Sequence, residues 1–194
     1  TALAGASAFT ISCWVKSSYT NWMQLFGDNN LRFSTKPSIT RLDLTFNGSV
    51  DFRSTNFTLS SGQWHNVITT FDGSLAQADR LKVYVDGVAV TNSLSGTTST
   101  TLTASNSFMI GRRGTYSSQE WNGNIDEFAT WNSVQNVATI YNSGAPGDLS
   151  SLSPLNWWRM GDGDTFATLT DNGSGGDNGT MINMVAGDIV SDTP

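Results

Sequence analysis

At 194 residues and 20.8 kDa the chain is long enough to bury one large core, with 38% hydrophobic and only 13% charged residues. Ten basic against sixteen acidic residues give a net charge of -6, and the basic ones are scattered, which argues against nucleic acid as a partner. Neutral polar residues must cover most of the surface, as in extracellular or particle-borne all-β proteins. No apolar run reaches the length of a membrane span or a signal peptide, so membrane insertion is not expected.

Residues 8–16 open the chain as a strand, with Phe9, Ile11, Cys13 and Val15 on one face and Thr10, Ser12, Trp14 and Lys16 on the other. Cys13 is the single cysteine, so no intrachain disulfide forms and the thiol reads as a small buried hydrophobe. Residues 23–26 and 31–33 form the next pair, joined through Gly27-Asp28-Asn29-Asn30. After Pro37 the run ITRLDLTF sets Leu42, Leu44 and Phe46 on one side, and Asn47-Gly48 predicts a two-residue hairpin into Val50, Asp51 and Phe52.

The strongest local signal lies in residues 64–90. Val67, Thr69 and Phe71, then Leu81, Val83 and Val85, mark two alternating strands, and Asp86-Gly87 supplies the positive φ that a two-residue hairpin turn requires. Residues 91–106 form a Ser/Thr/Gly/Leu tract, read as a long connection or weak edge strands. Strand patterning resumes at 108–110 and 124–131. One short helix is predicted near 134–143, with Ser133 as cap, Val134, Val137, Ile140 and Tyr141 along one side, and Gly144 and Pro146 at its end. Residues 154–160 give a last strong strand with Trp157 and Trp158 on opposite faces. A Gly-rich acidic stretch follows, then MINMVAGDIV, which offers one or two short strands. This pattern predicts an all-β, antiparallel two-sheet sandwich.

Taken in order, WHNVITTFDG, LKVYVDGV, GNIDEFATWN, ATIYNSGAP and PLNWWRMGD resemble the laminin G-like and pentraxin-like jelly rolls of the concanavalin A-like lectin/glucanase superfamily. The resemblance implies a jelly-roll sandwich and one laminin G-like domain over residues 1–194. It extends to stand-alone versions encoded by bacteria and tailed phages, which implies an extracellular or virion-surface location. Two departures stand out. Only TALAGAS precedes the first strand, so an edge strand of the family pattern is missing: either the chain is a processed or partial product, or the gap is filled by its own tail or by a neighbouring subunit. Where pentraxin-like members carry calcium-binding acids after the strand matching SFMIG, this chain has Arg112, Arg113 and Gly114; only Asp28-Asn29 keeps a counterpart of the other half-site.

Retaining glycoside hydrolysis needs two carboxyl groups about 5 Å apart, which alternating positions on one strand provide. The glucanases of the superfamily place Glu, Asp and Glu in that way. Here Asp126 and Glu127 are adjacent, so strand alternation predicts opposite faces and no catalytic pair. His65 is the only histidine and no nucleophile signature adjoins it, so neither a triad nor a zinc site is expected. Calcium is the one cofactor that composition allows. Asp28 with Asn29 and Asn30, and the tail carboxylates Asp162, Asp164, Asp171 and Asp177, have suitable oxygens without EF-hand spacing. Sugar recognition uses aromatic faces with amides and carboxylates on loops. The predicted ligand-binding set is Tyr19, Trp22, Arg112, Tyr116, Glu120 and Trp121, near Asn21, Gln119 and Asn122, while Trp14, Trp64, Trp131 and Trp157 are assigned to the core. The function expected is a non-catalytic recognition domain for glycan or surface protein. A second reading is a structural virion component that mates with neighbouring subunits as a homo-oligomer or within a particle.

Overall fold

The computed structural model describes residues 3–18, 21–36, 41–47, 50–54, 59–103, 108–112 and 119–194. In chain order the strands are β1 Ala8–Lys16, β2 Met23–Gly27, β3 Leu31–Lys36, β4 Arg41–Phe46, β5 Val50–Ser54, β6 Trp64–Asp72, β7 Leu81–Val85, β8 Val88–Ala89, β9 Asn92–Ser95, β10 Met109–Ile110, β11 Asn124–Trp131 and β12 Asn156–Trp158, followed by the small ribbon β13 Thr168–Leu169 and β14 Gly179–Thr180. The first sheet runs β12-β11-β1-β6-β7-β8 and the second β10-β2-β3-β4-β5-β9, with the pairing antiparallel throughout. This is the two-sheet sandwich that the alternating pattern predicts.

The core lies between the sheets. Phe9, Ile11, Cys13 and Val15 of β1 and Val67 and Phe71 of β6 meet Met23, Leu25, Phe26, Leu31 and Phe33 of β2 and β3. Phe26 is its hub, with ring centroids of Phe33, Phe128 and Phe108 at 5.4, 5.5 and 5.8 Å. Each such side chain contributes about 1.5–3 kcal/mol by leaving water. Burial pushes the pKa of the Cys13 thiol up, which leaves it protonated and inert.

The first sheet is covered on its outer side as well. Helix α1, Val137–Tyr141, buries Ile140 against Ile68, Ala129, Trp131, Leu149 and Trp157. Its cap is Asn136, whose Oδ1 accepts from the Thr139 N–H at 3.1 Å. The helix therefore starts three residues later than Ser133 predicted, and Val134 stays exposed. Tyr141 stacks on Trp14 of β1 at 6.1 Å. The Asp86-Gly87 hairpin forms as predicted, with φ of 50° and 75°. Gly87 also serves as a seat for the helix: a Cβ there would lie 2.7 Å from the Tyr141 ring.

Three further expectations are corrected. Phe46 pairs with Val50, so three residues and not two connect β4 to β5. Asn47, at φ 51°, donates to the Thr101 carbonyl at 2.9 Å and accepts from the Thr103 N–H at 2.7 Å, so its amide ties the turn to residues 101–103. β12 is only three residues long, bracketed by left-handed Ser153 and Met160. Within 181–190 no strand forms among the described residues; Ala186–Asp188 is a 3-10 turn, with Asp188 Oδ2 accepting from the Val185 N–H at 2.7 Å. No helix of the described residues is long and apolar enough to cross a membrane.

Candidate functional site

Two of the predicted loops meet at one end of the sandwich. The Gln24 N–H donates to the Gln119 carbonyl at 2.7 Å, and Gln24 Nε2 donates to Gln119 Oε1 at 3.0 Å. Gln24 Oε1 in turn accepts from the buried Ser34 hydroxyl at 3.0 Å, so β2, β3 and the 119–122 segment are locked together. Gly111 N–H reaches the Leu25 carbonyl and Trp121 N–H reaches the Gly111 carbonyl, each at 2.7 Å, which closes the base of the 111–121 loop.

Around this tie Trp22 and Arg112 are half-buried, while Gln119, Glu120 and Asn122 are exposed. Trp121 is 9% exposed, packs in the core and donates its indole N–H to the Asn124 carbonyl at 3.1 Å, so its ring offers no free platform. Tyr19, Tyr116, Arg113 and Gly114 lie outside the described residues. Beside the loops opens a crevice of about 370 Å³ lined by Lys16, Ser17, Ser18, Asn122, Gly123 and Asn124. Of these positions the sequence reading reaches only Asn122. Their signal is the polar run that ends β1 facing the polar run that begins β11.

Asp28 is 3% exposed and its Oδ1 accepts from the N–H groups of Asn30 at 2.7 Å and Leu31 at 2.8 Å. That carboxylate closes the β2–β3 turn, and Asn29 beside it is exposed. The tail carboxylates are likewise engaged in closing loops. Asp171 accepts from Asn156 Nδ2 and from the N–H groups of Trp157, Gly173 and Asp177, each at 2.8 Å. Desolvation raises its pKa, but those four bonds outweigh it and hold the carboxyl below the usual range. Asp164 accepts from Gly161 and Thr170 N–H, and Asp162 pairs with Arg159. Among the described residues no three His, Cys, Asp or Glu side chains converge as a cation site.

The carboxylates of β11 require a correction. Ser12 pairs with Ala129 but Trp14 with Asp126, so Glu127 and Phe128 together oppose Cys13 in a β-bulge, and Glu127 takes φ 49°. The extra residue breaks alternation. Asp126 shares the outer face with its partner Trp14, and Glu127 turns to the same face, where it accepts from the Trp157 indole N–H and, at 3.1 Å, from Arg159 Nε. Arg159 also lies over the Trp157 ring at 5.5 Å. Asp126 and Glu127 are thus neighbours on one face and not on opposite ones. Glu127 is 6% exposed with both oxygens bonded, a positioned anchor for Trp157 and Arg159. Desolvation, with lesser repulsion from Glu127 and Asp162, raises the Asp126 pKa to about 6 against the pull of the Glu127 N–H and Arg159.

His65 is held by hydrogen bonds at both ring nitrogens. Its Nε2 accepts from the Ser60 N–H at 2.9 Å, so Nδ1 carries the proton and donates to Asp86 at 2.7 Å. Asp86 Oδ1 accepts from the Asn66 N–H, which ties the histidine to the hairpin turn. Of the four tryptophans assigned to the core, Trp14, Trp131 and Trp157 are buried, whereas Trp64 is half-exposed because it begins its strand at the sheet's end.

The family model described as the concanavalin A-like lectin/glucanases superfamily matches residues 1–141. No curated protein sequence matches the chain. Among solved structures, a protein of Bacteroides ovatus described as a candidate carbohydrate-binding protein superposes with a TM-score of 0.72 at 19% identity, covering 91% of this chain and 52% of its own. The chain therefore spans about half of that protein's length. A heptameric SAP-like pentraxin of Limulus polyphemus gives 0.56 at 19% identity, covering 72% of this chain and 70% of its own. Domain 4 of a GH43 extracellular arabinanase of Geobacillus stearothermophilus, in complex with arabinotriose, gives 0.53 at 21% identity, covering 73% and 68%. At these identities the likeness establishes the shared fold.

Proposed function

The chain belongs to the concanavalin A-like lectin/glucanase superfamily, and from that premise we propose that it is a non-catalytic recognition domain that binds glycan at the loop end of its sandwich, on a cell or virion surface. The double tie between Gln24 and Gln119 carries this reading, because it joins the loop that bears the half-buried Trp22 to the segment that bears the exposed Glu120 and Asn122. Such a set suits a sugar: the indole covers the apolar face of a ring, and the amides and Glu120 bond its hydroxyls. The descriptions of the Bacteroides protein and of the arabinanase domain with its trisaccharide agree with it. The absence of catalysis is supported by Glu127, which is buried with both oxygens bonded and so is not poised as a nucleophile or acid.

The contact set proposed is Trp22, Arg112 and Glu120, with Tyr19 and Tyr116 from the same loops. Calcium at Asp28 and Asn29 would need carboxylate oxygen that the turn does not already use. The test is a broad glycan screen of the full chain with and without calcium. Binding is expected, and Trp22→Ala should weaken it about tenfold, the effect of losing one aromatic hot spot, with thermal stability retained. Failure to bind any glycan under either condition would overturn the reading, and turnover of a β-glucan that Asp126→Asn abolishes would replace it with catalysis.

A further inference from the structure

The register of β1 with both neighbours lines up three hydrogen-bond donors at one end of the first sheet. Lys16 pairs with Trp64 of β6 on one side and with Asn124 of β11 on the other. Paired residues share a face and adjacent strands stand about 4.8 Å apart, so an ammonium, an indole N–H and a carboxamide form one row on the outer face. The Asp192 carboxylate sits on that row. Its Oδ2 accepts from Lys16 Nζ at 2.7 Å and Asn124 Nδ2 at 3.0 Å, and Trp64 Nε1 points to its Oδ1 at 3.4 Å. Lys16 Nζ lies 5.8 Å from the Trp64 ring centroid.

We propose that this row is a binding site for a carboxylate-bearing saccharide, and that Asp192 fills it in cis by presenting the same chemical group. The donors come from three central strands and are held by the sheet rather than by loops. Charge-assisted bonds from Lys16 and a planar amide donor suit a carboxylate. The crevice lined by Lys16, Ser17, Ser18, Asn122, Gly123 and Asn124 begins at the same two residues, Lys16 and Asn124, and lines the space beside the carboxylate with hydroxyls and amides. That lining matches a polyhydroxylated ring better than a peptide side chain. Trp64, half-exposed, supplies an aromatic face at the opposite end of the row.

The occupant is exchangeable. The side chains of Lys16 and Asp192 are 28% and 41% exposed, and ion pairs in that setting contribute little net stability. Residues 190–194 adopt neither helix nor strand, so no sheet or helix bond has to break for Asp192 to leave. A ligand carboxylate would meet the same three donors and gain the crevice as well. This inference rests on the glycan-recognition reading for its ligand class, but its residues are separate from Trp22, Arg112 and Glu120.

The test titrates trigalacturonate into the full chain and into Asp192→Ala, followed by calorimetry and by the indole N–H resonance of Trp64. An occupant that leaves the row open about a tenth of the time lowers apparent affinity about tenfold, so Asp192→Ala should bind about tenfold more tightly and shift the Trp64 signal. Lys16→Met in the Asp192→Ala background, which keeps the aliphatic stem, should erase that gain with the melting temperature unchanged. A neutral galactose trisaccharide should bind the full chain and Asp192→Ala alike. Equal trigalacturonate affinity for the two, or an equal gain for the neutral sugar, overturns the proposal. So does a peptide of residues 187–194 that binds Asp192→Ala when trigalacturonate does not, since the row is then a clasp for the chain's own segment only. Neutral glycans that still bind through Trp22 would leave the loop reading standing, whereas loss of all glycan binding would sink that one.

Discussion

Within three residues of β11, Phe128 points into the core while Asp126 and Glu127 point out, and the two sides are put together differently. Phe128 is fully buried against Phe26 and Phe108, residues of the other sheet and of the segment leading to it, and any apolar surface of the right size there would serve. The outer carboxylates depend on particular atoms: the indole N–H of Trp157, the guanidinium of Arg159 and a bulge that turns Glu127 over. Apolar burial is non-directional, so it tolerates exchange and rewards volume. Polar placement is directional, so it is set by few contacts and can be altered by one.

The comparison can be broken most forcefully from the inside. Phe128→Ala should cost about 3–5 kcal/mol, read as a drop in the urea midpoint with an unchanged slope, because a large aromatic leaves a cavity that the neighbouring rings of Phe26, Phe108 and Trp158 only partly fill. A loss below about 1 kcal/mol would mean that the inner face is not the packed side.

On the polar side, Asp171→Ala should cost about 2 kcal/mol by leaving four donors around β12 without their acceptor. Its carboxyl is held below the usual range in the fold, so its contribution is present above the unfolded carboxylate pKa and is lost as pH falls through the lower folded value. The difference between the two proteins should therefore shrink in melts taken at progressively more acid pH. A constant difference across that range would mean that the charge of Asp171 does nothing there.

Asp126→Asn sharpens the contrast by running the other way. Its folded pKa of about 6 lies above the ordinary aspartate value of 3.8, so the stability that it contributes is present below pH 3.8 and lost as pH rises through 6. The substitution keeps an oxygen for the Glu127 N–H and removes the charge. It should stabilise the protein by about 1 kcal/mol at pH 7.5, after discounting for solvent screening at a half-buried site, and by nothing near pH 3.5. Melting curves at the two pH values decide it: destabilisation at pH 7.5 would show that the ionised carboxylate is wanted where it is.

The same division explains what could be read in advance. Phe9 to Val15, Val67 to Phe71 and Leu81 to Val85 announce their strands because period-two alternation is the record of one buried face, and Asp86-Gly87 announces its turn because few residue pairs accept its φ values. The bulge at Glu127 left no such mark. Nothing in NIDEFATW says that one residue is extra, so alternation put Asp126 and Glu127 on opposite faces. The Asn136 cap was masked by Ser133, an equally good capping residue three positions earlier. At the candidate site, Trp22 and Glu120 were visible as loop residues of the right type. Lys16, Trp64 and Asn124 were read as strand positions or core, because their row exists only once three strands are in register and Asp192, 176 residues from Lys16, is folded onto them.

Counted along the ladder, Glu127 is one residue more than ordinary alternation uses. Without it Trp14 opposite Asp126 and Ser12 opposite Ala129 would be joined by ordinary alternation through Phe128 alone, and the ladder would close with the same aromatic ring pointing inward. The hydrophobic interior has no stake in the added residue. One added residue thus sets two carboxylates side by side on the outer face, where Glu127 anchors Trp157 and Arg159, while Phe128 keeps its place between the sheets.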